Sequence, residues 1–157
     1  MGTPDSDPIA EIRQVNRWVN HTIAYREDSA LWHKADYWAD ARSTLRKRAG
    51  DCEDIAIVKY QALIGLGFAP SDVYLTIARD LVRDADHALV VVRHDGRYYL
   101  LDDSTDELLD GSEPNDYRPM LSFGTEKWLH GLQPAAATPI YLSRNALSNA
   151  RSIGINR

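Results

Sequence analysis

The sequence predicts an α+β domain in which N-terminal helices pack on an antiparallel β-sheet. Three observations carry this. Apolar residues recur at helical spacing through residues 9–19 and again through 55–66. Three β-rich runs then follow one another: Val73–Ala78, His87–Arg93 and Arg97–Asp102. Asp95-Gly96 separates the last two, a dipeptide that favours a two-residue hairpin turn. Helices first and a meander after them make a helix layer on one sheet.

The elements follow in order. Residues 1–7 are expected to be a disordered or vector-derived tail, and 8–157 a single domain. Ile9, Ile12, Val15 and Val19 mark a first helix with Pro8 in its opening turn, ending between Asn20 and Ile23. Tyr25 to Tyr37 reads as irregular, and Ala39 to Arg48 as a short second helix. Asp51 is a good N-cap for a third, from Cys52 to about Leu66, whose stripe is Ile55, Val58, Ala62, Leu63 and Leu66. Gly65 and Gly67 close it, one of them at the C-cap. Thr138 to Leu142 offers a fourth strand, and Pro134 to Thr138, with its paired alanines, reads as a linker.

Composition narrows the function. With 44% hydrophobic and 26% charged residues, the chain has the balance of a globular domain. A net charge of −5 gives no general footprint for nucleic acid, and Arg42 to Arg48 reads as a solvated basic face. No apolar run reaches the roughly 18 residues of a membrane span, so no membrane insertion is expected.

The single cysteine, Cys52, opens the third helix within Gly50-Asp51-Cys52-Glu53-Asp54. By type alone a lone cysteine is most often a small buried hydrophobe. A helix N-terminus, however, stabilises an anion, and the reactive form of cysteine is the thiolate. With Asp95 and Gly96 as the turn, His94 pairs with Arg97, Leu89 lies opposite Asp102, and His87 opposite Ser104. Alternate residues share a face, so His87 and Asp102 become diagonal neighbours, while Asp103 falls opposite Ala88 on the other face. A nucleophile, a base and an orienting acid are the parts of a thiol acyl-transfer enzyme. Cys52, His87 and Asp102 are therefore the candidate triad. His94 lies beside the turn, and His21, His33 and His130 have no comparable partners.

At these residues the chain resembles the bacterial transglutaminase-like cysteine peptidases, the LapG-type proteases. The resemblance runs from about Val15 to Tyr141. It rests on residues 15–20, Asp36-Tyr37-Trp38, the extended motif from Gly50 to Tyr60, residues 63–67, Asp86 to Val90, Leu101-Asp102 and residues 138–141. It implies a papain-like core in transglutaminase arrangement, with Cys52 as nucleophile, His87 as base and later acid, and Asp102 as orienting carboxylate. It also implies calcium at Asp51 and Glu53, with Asp36 and Asp54 as further candidate ligands. Clustered hard oxygens suit calcium rather than zinc, although Asp51, Glu53 and Asp54 also serve the helix start as a cap and as favourable charges.

Members of the family cut large surface adhesins near their N-termini at a paired-alanine site in the periplasm. An inner-membrane cyclic di-GMP receptor sequesters them. The corresponding expectations here are a periplasmic endopeptidase that controls biofilm attachment, an adhesin substrate and such a receptor as inhibitor. Cleavage would pass through a thioester, with the Cys52 backbone N–H holding the oxyanion and the Trp38 indole N–H as a candidate second donor. Two other readings use the same residues: acyl transfer to an amine, and a non-catalytic calcium-binding module with a vestigial triad.

Overall fold

The computed structural model describes residues 6–27, 40–113, 115–125 and 127–129. Helix α1 (Pro8–Thr22) starts where the Asp7 carboxylate accepts the Ile9 N–H at 3.0 Å. It buries Ile12, Val15 and Val19, and also the polar Asn16. After it, β1 (Ala24–Tyr25) pairs in parallel with β2 (Ala49–Gly50), a two-residue ladder that was not read from the sequence. Between them, α2 (Ala41–Lys47) is capped by Asp40 and stopped by Arg48 in the left-handed region at φ 53°.

Helix α3 (Cys52–Gly65) ends in a Schellman motif. Phe68 donates to the Leu63 carbonyl at 3.1 Å and Gly67 to that of Ile64 at 3.0 Å. Gly67, at φ 98°, is the glycine the turn requires, whereas Gly65 is the last helical residue. The buried stripe differs from the one read in the sequence. Ile55, Val58 and Leu63 are buried, but Leu66 is 43% exposed, and Ala56 and Lys59 are buried in addition.

The sheet contains β3 (Val73–Asp80), β4 (Ala85–His94), β5 (Arg97–Leu101), β6 (Leu109–Asp110), β7 (Tyr117–Phe123) and β8 (Lys127–Leu129). Their order is β6-β5-β4-β3-β7-β8, with every neighbouring pair antiparallel. The β4–β5 hairpin has the two-residue turn expected of Asp95-Gly96, at φ 49° and 74°, and pairs His94 with Arg97. Strand β7 was not read from the sequence. It carries Pro119 at the register shift where β3 and β7 meet, a place where a strand tolerates the missing N–H. The Thr138–Leu142 expectation lies outside the described residues.

The main core lies between α1, α3 and one face of the sheet, from Ile12, Val19, Val58 and Leu63 to Val73, Ala88, Val90 and Leu101. A smaller cluster of Leu89, Val91 and Leu100 covers the other face. This α+β arrangement sets the start of α3 against the beginning of β4, where the candidate residues lie.

Candidate active site

The start of α3 is fixed by a reciprocal cap. The Asp51 carboxylate accepts the Asp54 N–H at 3.1 Å, and Asp54 Oδ2 accepts the Asp51 N–H at 3.3 Å. Gly50 makes this cap possible, since a Cβ at that position would lie 2.6 Å from Asp54 Cβ and 3.1 Å from Thr44 Cγ2. The β1–β2 pair clips the entering chain from the other side. Ala24 donates to the Arg48 carbonyl at 2.9 Å, and Arg26 to that of Gly50 at 2.8 Å. Cys52 is thus the first residue of a rigidly set helix, where backbone N–H groups have no partner inside the helix.

The His87 side chain lines the same cleft as the Cys52 thiol. Its Nε2 lies 2.7 Å from Asp102 Oδ1. Asp102 is almost fully buried and accepts further bonds from Ser104 Oγ at 2.7 Å and from the Ser104 N–H at 3.3 Å. Tyr117 donates its phenol to Asp102 Oδ2 and stacks on the His87 ring, with centroids 5.4 Å apart. From below, Asn20 Nδ2 of α1 donates to the Asp102 and Thr105 carbonyls at 3.0 and 2.9 Å, and Asn16 Nδ2 to Thr105 at 2.9 Å. The segment after β5 is therefore tied to α1 through its backbone.

Electrostatics follow from this packing. Burial pushes the Cys52 thiol up, to about 11, against the lowering influence of His87; the Glu53 charge adds to the rise. The thiol proton points at Glu53 Oε2, 3.2 Å away. Burial works against a charged His87 ring, but Asp102, then the nearby Asp103 carboxylate and Cys52, outweigh it and push the imidazolium up to about 12. Asp102 is held well below the usual carboxylate range. Burial opposes this, while His87, Tyr117, Asp103 and Ser104 overcome it.

The structure brings Cys52, His87 and Asp102 together. It corrects the placement of Asp103, whose Oδ1 lies 3.2 Å from His87 Nε2 rather than on an opposite face. The β4–β5 ladder ends at Val90–Leu101, and the chain turns at Asp103 and Ser104, so strand alternation no longer governs their directions. Nε2 has one proton to donate, and the 2.7 Å contact to Asp102 takes it. Asp54 is committed to the cap and fully buried. Trp38 and Asp36 lie outside the described residues. Sequence reasoning missed Tyr117, Ser104, Asn16 and Asn20. Of these, only the two asparagines gave a signal, as polar residues interrupting the apolar face of α1.

Comparison with known proteins settles the family. The profile of the bacterial transglutaminase-like cysteine proteinases matches residues 3–126, most of the chain. The chain belongs to this family. Solved structures of Legionella pneumophila LapG share the fold of this cysteine proteinase. One is 26% identical with a TM-score of 0.70, covering 80% of this chain and 71% of LapG. An EGTA-treated form is 25% identical at TM-score 0.71, over 81% of this chain and 69% of LapG. A calcium-bound form is 24% identical at TM-score 0.71, over 87% and 76% respectively. No curated protein matches the sequence.

The proteinase opens a cleft of about 460 Å³ over the thiol, lined by Tyr25, Cys52, Asp80, Arg83, His87, Asp103 and neighbours. Its mouth is acidic. The Tyr25 phenol is pushed up to about 12 by partial burial and by Cys52, Asp51, Glu27 and Asp103. Hard carboxylate oxygens on either side of Cys52, in a negative field, fit calcium by donor chemistry. His87, Asp102 and Asp103 also bring three ligand atoms within 4.8 Å of one another. That trio contains an imidazole and two carboxylates already facing each other, a poorer match to calcium than Asp51 and Glu53.

Proposed function

We propose that this cysteine proteinase is a calcium-dependent endopeptidase with Cys52, His87 and Asp102 as its catalytic triad. The single observation that carries the reading is the His87 ring, held by Asp102 at 2.7 Å through Nε2 in the same cleft as the Cys52 thiol. Cys52 attacks the scissile carbonyl as the thiolate of a pair in which His87 holds the proton as imidazolium. The Cys52 N–H, at the positive end of α3, meets the oxyanion that forms. His87 then protonates the leaving amine, and water hydrolyses the thioester with His87 as base.

Asp51 and Glu53 would hold the calcium, with Asp36 as a further candidate. The ion would supply positive charge beside the thiol, offsetting the Glu53 carboxylate that favours the protonated form. The substrate is a large bacterial surface adhesin cut near its N-terminus at a paired-alanine site in the periplasm. An inner-membrane cyclic di-GMP receptor restrains the enzyme. Family membership and the likeness to LapG support this part of the reading.

The test is incubation of the purified protein, with calcium, with an adhesin N-terminal fragment bearing paired alanines. Wild type should cut it and Cys52→Ala should not, while both keep the same circular dichroism. Cleavage retained by Cys52→Ala would remove the mechanism. Incorporation of a fluorescent amine in place of cleavage would make the enzyme an acyltransferase instead.

A further inference from the structure

Among the described residues, four buried side-chain polar atoms have no hydrogen-bond partner: Lys59 Nζ, Asp103 Oδ1, Asn16 Oδ1 and Asn20 Oδ1. One is an ammonium with three protons, and the other three are acceptors. Three of them belong to one part of the fold, the 102–106 segment and the α1 face it rests on. Asn16 and Asn20 bond to the 102–106 segment through their nitrogens, and Asp103 belongs to it. Lys59 lies seven positions after Cys52 on α3, so the two share a helix face about 10 Å apart along the axis. Lys59 is only 1% exposed, in a helix whose other buried residues are chiefly core aliphatics. An ammonium there is costly unless a charge answers it.

The charges around His87 show which one. Asp102 and Asp103 both approach Nε2, and one imidazolium can balance one carboxylate. Asp102 has four donors, from His87, Tyr117 and twice from Ser104. Asp103 Oδ1 has none, and the Nε2 proton it approaches is directed at Asp102. Asp103 is thus the carboxylate whose charge needs an answer, and Lys59 the buried cation that needs one.

We infer that Lys59 is a positioning residue, whose buried ammonium balances Asp103 beside the His87–Asp102 pair and so keeps that pair aligned on Cys52. The inference rests on the triad reading given above. The ionisation of Lys59 is in keeping with this neighbourhood. Burial pulls the ammonium down, to about 8, against the raising charges of Asp103, then Asp102 and Asp106. A residue that merely fills space would behave differently: apolar side chains often replace a whole buried charge pair without loss, whereas removing one partner leaves the other charge buried and uncompensated.

The experiment measures the rate at which iodoacetamide alkylates Cys52 in the full chain with calcium present. It compares wild type, Lys59→Met, Asp103→Asn, the double variant and His87→Ala. Lys59→Met should slow alkylation tenfold or more, and adding Asp103→Asn should recover most of that loss, because the unbalanced carboxylate is gone. Wild-type speed in Lys59→Met, or a loss of the same size whether or not Asp103 is present, would overturn the inference. If Lys59→Met does not fold, the double variant decides: folding with fast alkylation supports the charge pairing, and failure to fold overturns it. Wild type reacting no faster than His87→Ala would instead strike the triad reading, and the Lys59 role with it.

Discussion

The Tyr117 ring lies nearly parallel to the His87 ring, 12° apart in plane, while its phenol donates to the carboxylate that holds that histidine. One side chain from β7 thus fixes both the tilt of the base and the position of its orienting acid. Tyr117→Phe keeps the stacking surface and removes only the bond to Asp102. A hydrogen bond to a charged group contributes roughly 1.5–3 kcal/mol, so kcat should fall by about tenfold with KM little changed. Tyr117→Ala should cost more, since the ring that packs against His87 is also lost. Steady-state kinetics on one substrate would check both. Unchanged kcat in Tyr117→Phe would mean that the phenol bond adds nothing to the base.

Two adjacent carboxylates approach one imidazole nitrogen, at 2.7 Å for Asp102 and 3.2 Å for Asp103. The shorter contact and the donors around Asp102 make it the orienting acid. Asp102→Asn should lower turnover by roughly three to four orders of magnitude, the scale seen when an orienting acid of this kind becomes an amide. Asp103→Asn should have a much smaller effect. Measured kcat values in the opposite order would transfer the orienting role to Asp103.

These two predictions also mark how far the sequence could be read. The hairpin register was legible because Asp-Gly at a turn is a local signal, and its two positive φ values are what those residues accommodate. The helix start at Cys52 was legible for the same reason, since capping is local chemistry. The direction of Asp103 was not. It depends on where the ladder stops, and that is set by the 102–106 segment bonding to Asn16 and Asn20 of α1, more than eighty residues away. Strand β7 was hidden by its proline, and with it Tyr117. Lys59 was hidden because a lysine in a helical pattern reads as solvated, and only the tertiary charge pattern shows a reason to bury it.

Gly50 should be intolerant of a side chain although it is not in a strained conformation. A Cβ there meets Asp54 Cβ at 2.6 Å, inside the cap that sets the nucleophile helix. Gly50→Ala should destabilise the fold by roughly 1–2 kcal/mol, the scale of a lost cap, and lower kcat as Cys52 shifts. Gly65→Ala is the control. It is helical and meets nothing within 4 Å, so it should stabilise by about 0.5–1 kcal/mol and leave kcat unchanged. Urea unfolding with parallel kinetics would check the pair. Equal stability of Gly50→Ala and wild type would show that the cap yields without cost.

Removing calcium should suppress cleavage through the thiol rather than through the fold. The thiol proton points at Glu53 Oε2 at 3.2 Å, and the Glu53 charge raises the thiol further beyond the effect of burial. A cation held by Asp51 and Glu53 would oppose both influences and favour the thiolate. EGTA should therefore slow alkylation of Cys52 as well as proteolysis, and added calcium should restore both. Glu53→Gln separates charge from ligation. It removes the negative neighbour, so its thiol should alkylate faster than that of wild type in EGTA, and calcium should add little. Asp51→Ala with Glu53→Ala should abolish calcium binding in calorimetry. Full proteolysis in EGTA, together with no heat of calcium binding to the wild type, would refute calcium dependence while leaving the His87–Asp102 geometry untouched.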